Sequence, residues 1–177
     1  MLSEKRINEA KLNVNTYLTE GLLTKQQFQS NIYKILVNNA DGSLEAANFL
    51  LKNNKSNLWV IVCSYYSMFY IANSLLLKIG YKVGDKIPHK VTNDALIVFV
   101  KDKLKSSLLE DYEEVKEDAL LLAKNRAETL LENFEFERKK RSTIQYQTGE
   151  PEKSSKAETS LKRAVEFMAE MKKLLMD

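Results

Sequence analysis

The sequence predicts an all-α fold in which helices pack into one bundle, and three observations lead there. Only five glycines and two prolines interrupt 177 residues, and these residue types are the strongest local breakers of regular structure. Near the carboxyl end Ala157, Leu161, Ala164, Met168, Met171 and Leu175 recur at alternating four- and three-residue steps, the spacing of a packed seam. In the middle, Leu58 to Leu77 contains no charged residue, as expected of a helix covered on every side. The length suits a single domain over 1–177 with a sizeable core.

Taken in order, residues Leu2 to Thr19 read as a first helix. Thr24-Lys-Gln-Gln27 has the form of a capping box, in which hydroxyl and amide satisfy each other's backbone donors, so a second helix is expected to start there. It carries Phe28, Ile32, Ile35 and Leu36 at helical spacing and is expected to stop near Asn38-Asn39-Ala-Asp-Gly42, a run that favours turns. Ser43 then opens a third helix, which ends at the polar break Asn53 to Asn57.

Leu58 to Leu77 is long enough to cross a membrane. Its serines, Asn73 and mid-segment tyrosines argue against that, because spanning helices gather aromatics near their ends. The expectation is a buried core helix and no membrane. Gly80 and Gly84 to Pro88 form a loop, after which His89 begins a helix with Val91, Ala95, Val98 and Phe99. Leu108 to Phe136 is a long helix in which Arg126 falls near the apolar stripe and would need a partner. Ser155-Lys-Ala-Glu158 is read as the cap of the last helix.

The net charge of +3 is too small to mark a nucleic-acid binder by itself, since such domains concentrate basic charge on one face. One cysteine, Cys63, excludes an intramolecular disulfide and a cysteine-based zinc site and fits a reducing compartment. The amino terminus MLSEKRINEA is charged where a signal peptide needs its apolar stretch, so a cytoplasmic location is expected. There is no glycine-rich phosphate loop and no His, Cys and carboxylate cluster at ligand spacing, so no cofactor and no metal are expected.

Two features carry chemistry. His89 is the single histidine and the natural candidate for proton transfer near neutral pH, although a capping or packing role suits its place at a helix start. The segment Arg138-Lys139-Lys140-Arg141 is the one dense basic cluster, and Gln145 and Tyr146 follow it in the connection to the last helix. Arginine offers forked donors for phosphate and tyrosine can stack on a base. A solvated helix end interacting with the helix dipole is the plainer reading of the same residues.

Together, the run Ser64 to Leu77, then Gly80, His89 and Arg141-Ser-Thr-Ile-Gln-Tyr146 before a final amphipathic helix, resembles the HEPN family, in particular its small stand-alone archaeal and bacterial members. The resemblance covers about 43–175, leaving about 1–42 as an amino-terminal helical extension. It implies an up-and-down helical bundle, usually a homodimer, whose members include metal-independent endoribonucleases of toxin and defence systems. Other members are non-catalytic partners of minimal nucleotidyltransferases. In catalytic members an arginine is followed after four to six residues by a histidine, and the pair from each subunit meets at the dimer interface.

Here Arg141 matches the arginine, Tyr146 stands where the histidine would, and Arg138 has no histidine at an allowed spacing. An unperturbed tyrosine is ionised in only about one molecule in a thousand at neutral pH, which makes it a poor general base. The resemblance therefore implies an RNA- or nucleotide-binding protein in which Arg138, Lys139, Lys140 and Gln145 bind. Arg141, Tyr146 and His89 are its catalytic candidates, and ribonuclease activity is expected to be weak, lost or dependent on a partner. An active endoribonuclease, and a non-catalytic partner of a nucleotidyltransferase subunit, are the alternatives.

Overall fold

In the computed structural model, which describes residues 2–139 and 154–176, the chain is all-α apart from one small ribbon. The elements are α1 (Glu4–Thr19), β1 (Leu23–Lys25), α2 (Ser30–Lys52), α3 (Asn57–Lys78), β2 (Tyr81–Val83), α4 (Pro88–Phe99), α5 (Ser106–Lys139) and α6 (Ser154–Met176). A short 3-10 turn at Lys101–Lys103 links α4 to α5.

The apolar helix is the core element expected of it. Val60, Ile61, Tyr65, Met68, Ile71, Ala72 and Leu76 of α3 are fully buried, and α2, α4, α5 and α6 surround it. It is the one described helix long and apolar enough to span a membrane, but 72% of its most apolar window is buried inside the protein. Two of its serine hydroxyls are absorbed locally, Ser67 donating to the Ser64 carbonyl at 2.7 Å and Ser74 to that of Ile71 at 2.8 Å.

Pairings across the bundle fix its directions. Lys156 meets Asp118 at 2.7 Å and Arg163 meets Asp111 at 2.8 Å, so α5 and α6 run antiparallel. Lys78 Nζ donates to the Leu175 carbonyl at 2.7 Å, which brings the ends of α3 and α6 together and sets them parallel. The seam of α6 lies inward, with Ala157, Leu161, Ala164, Met168 and Met171 buried.

Three local expectations fail, the first two because packing outweighs local signal. Thr24 to Gln27 does not open a helix. Leu23–Lys25 pairs antiparallel with Tyr81–Val83, with Leu23 opposite Val83, and fully buried Leu23 pins the strand. Gly21, at φ +73°, turns the chain out of α1 into it. Asn38 to Gly42 does not end a helix either, because α2 runs on to Lys52. Ala40 and Ala47 bury against the core, and Lys172 of α6 holds Asp41 at 2.6 Å; together these offset the roughly 1 kcal/mol that a mid-helix glycine costs. Ser155 lies within α6 rather than capping it, and Ser154 is the residue whose hydroxyl donates to Glu158, at 3.0 Å.

The remaining boundaries agree with the sequence. Ser3 caps α1 by accepting from the Arg6 amide at 3.2 Å. The break at Asn53 to Asn57 separates α2 from α3, with Asn54 at φ +49°. Pro88 occupies the start of α4, where its missing N–H is no loss.

Candidate functional site

Of the residues singled out from sequence, Lys140, Arg141, Gln145 and Tyr146 lie outside the described residues. Arg138 and Lys139 close α5, and only their backbone is described; the side chain of Arg126 is likewise outside the description. α5 extends well past the level of Asp118, where α6 begins beside it. From Lys116 to Lys139 a straight helix rises roughly 35 Å. His89 sits at the Lys116 level, so the described structure does not bring it to the helix end that bears Arg138 and Lys139.

His89 instead joins an aromatic node. Its Nδ1 lies 2.7 Å from the Tyr65 hydroxyl, and its ring centroid is 4.7 Å from that of Phe69 and 6.1 Å, edge-on, from that of Tyr66. Tyr65 also packs on Tyr112 at 5.9 Å, and Tyr112 stacks on Phe167 of α6 at 5.4 Å. The node thus ties α3, α4, α5 and α6 together.

The protonation states follow from burial. Burial, helped by the neighbouring Tyr112, pushes the Tyr65 phenol far above its usual range, so it keeps its proton. Burial, and then the nearby Lys116 ammonium, holds His89 below its usual value, so the ring is neutral. The Tyr65 hydroxyl and His89 Nδ1 share a hydrogen bond whose direction depends on the ring tautomer. With Tyr65 as the donor, Nε2 carries the imidazole proton. That suits a fixed hydrogen-bond donor better than a general base, whose accepting nitrogen must be free.

A second polar cluster, which sequence reading did not find, joins α1 to α4 and α5. Asp94 is 1% exposed. It accepts from Tyr17 Oη at 2.8 Å and Asn13 Nδ2 at 3.0 Å, and Arg6 Nη2 lies 2.7 Å from its other oxygen. The same guanidinium reaches Glu113 Oε1 through Nη2 and Nε, each at 3.0 Å, and Asn93 Nδ2 donates to that oxygen at 2.7 Å. Burial works against the Arg6 charge, but Asp94 and Glu113 outweigh it and its pKa is raised. Lys116 beside the cluster is shifted down, chiefly by burial and against the pull of Glu113 and Glu117.

Both oxygens of Asp94 are thus occupied, so the cluster clamps α1 and Asp94 is not free to move protons. The one available signal was Asp94 itself, a carboxylate between Val91 and Ala95 on an apolar face, where an unpaired charge is too costly to leave alone. Its partners at positions 6, 13 and 17 are too distant in sequence for any spacing rule to supply. Among the described residues no group of three or more His, Cys, Asp or Glu side chains is placed to hold a metal ion.

These features define an all-helical bundle built on an aromatic central helix that holds a downstream histidine, with a long helix leading to a basic connection. The chain belongs to the HEPN domain family, whose pattern matches residues 33–174. The match starts inside α2, so α1 and β1 precede it. No curated protein and no solved structure matches the chain. Membership points to a nucleotide- or RNA-related function.

Proposed function

We propose that this chain is a HEPN-type protein that binds RNA or a nucleotide through Arg138 to Tyr146, in a toxin–antitoxin or defence setting, with ribonuclease activity weak, lost or dependent on a partner. The observation that carries this reading is the pairing of Arg141 with Tyr146 where catalytic relatives place a histidine. The single histidine of the chain is engaged elsewhere, by Tyr65. The sequence sets four consecutive cations of a kind suited to phosphate there, while the imidazole expected to accept the 2′-hydroxyl proton has no counterpart beside them in the sequence.

Binding of a labelled single-stranded RNA by anisotropy, run beside cleavage in EDTA, tests both halves. Binding that weakens in Arg141→Ala, with little or no cleavage by the wild type, is the expected result. Rapid cleavage to cyclic-phosphate ends, abolished in Arg141→Ala, would show an active metal-independent ribonuclease and refute the binding-first reading.

A further inference from the structure

Helix α2 carries more apolar surface than the core uses. Its Val37, Ala40, Leu44, Ala47, Leu50 and Leu51 pack into the main core. Ile32, Ile35 and Leu36, with Phe28 just ahead of the helix, form a separate stripe at helical spacing that belongs to neither hydrophobic cluster among the described residues. Phe28 is 50% and Ile35 57% exposed. Ile32 and Leu36 also form one wall of a cleft of about 320 Å³ faced by Phe69, Leu77, Val83 and Pro88. An exposed stripe beside an apolar cleft is the kind of surface that marks a binding partner.

Charge selects the occupant. The segments that build the stripe and the cleft, 22–36 and 81–90, hold the exposed lysines Lys25, Lys34, Lys82, Lys86 and Lys90 against a single carboxylate, Asp85. A second copy docked symmetrically here would set those lysines against their own counterparts, and like charges facing each other across an interface are penalised. A small solute in the cleft would leave Phe28 and Ile35 in water. An amphipathic helix would cover the stripe, insert one apolar side chain into the cleft and answer the lysines with its flanks.

We infer that the α2 stripe and its cleft dock an amphipathic helix of a partner protein, apolar on one face and acidic on its flanks. The surface shares no residue with Arg138 to Tyr146, so it stands or falls apart from the RNA-binding reading.

The test uses the full chain and two labelled synthetic peptides of about eighteen residues, long enough to hold a helix. Both carry leucines at i, i+3, i+4 and i+7; one has glutamates on its flanks and the other lysines. Saturable anisotropy with the acidic peptide, at least about tenfold weaker with the basic one, is expected, with a comparable loss in Ile35→Glu. Lys82→Glu/Lys86→Glu should narrow or reverse the preference between the peptides. Because Ile35 is largely exposed, its variant should melt with the wild type, which separates lost docking from lost folding. The inference is overturned if neither peptide saturates, if both bind equally, or if Ile35→Glu leaves binding intact. A concentration-dependent dimer that Ile35→Glu dissolves would overturn it too, by making a second copy the occupant.

Discussion

Replacing Arg6 with alanine should loosen α1 from the bundle by an amount the geometry sets. Asp94 is buried and ion-paired with the Arg6 guanidinium at 2.7 Å, with the Lys116 ammonium also within electrostatic reach. Removing one partner of a buried ion pair costs about 3–5 kcal/mol, because the other charge is left uncompensated. Two facts put this site at the low end. The Arg6 side chain is 23% exposed, so water already screens the pair in part, and Tyr17 and Asn13 still donate to Asp94. The expected loss is therefore about 3 kcal/mol, which for a domain of this size lowers Tm by about 6–12 °C.

Calorimetry gives the size of the loss, and hydrogen exchange places it, with α1 amides opening first. In an Asp94→Asn background the same Arg6→Ala change should cost less than half as much, since no buried charge remains to be stranded there and Glu113 keeps its Asn93 donor. A Tm within about 2 °C of wild type, or strictly additive losses in the cycle, would refute the reasoning.

Four further outcomes are expected. The single imidazole should titrate below the ordinary histidine value, with Nε2 protonated in the neutral ring, as 15N-detected NMR would report; Tyr65→Phe should abolish the tautomer preference. Because His89 is held below its unfolded value, the unfolded chain binds the extra proton first. Stability should therefore fall as pH drops through about 6.5 and level off below the folded pKa, and His89→Gln should remove that part of the slope. Tyr112→Phe deletes a buried hydroxyl that makes no well-formed hydrogen bond, so urea unfolding should show stability unchanged or higher rather than the loss usual for a buried polar contact. If Arg138, Lys139, Lys140 and Arg141 each meet a phosphate, log K for single-stranded RNA should fall against log salt with a slope of about −3, shrinking by about 0.7 in Arg141→Ala.

The helices were legible wherever the sequence carries periodicity over many residues. The α6 seam and the uncharged α3 span many turns, and long repeats leave little room for error. The misreadings fall at short polar signals. Thr24 to Gln27 satisfies a capping rule, but the strand partner that overrides it lies beyond α3, and Asn38 to Gly42 satisfies a turn rule that burial of Ala40 and the Lys172–Asp41 pair overcome. The position of His89 at a helix start was readable from Pro88. Its engagement by Tyr65 was not, because that contact crosses between helices and no spacing encodes it. The basic segment was visible only as composition, and the family match extends across it.

The length of α5 sets a ruler for any nucleic acid the protein holds. The His89 node and the end of the helix at Arg138 and Lys139 are separated by roughly 35 Å, which at about 3.4 Å per stacked nucleotide corresponds to about ten nucleotides. A mononucleotide can occupy one end only. If both ends of the helix contribute to binding, affinity should climb in a step as the oligonucleotide passes about that length.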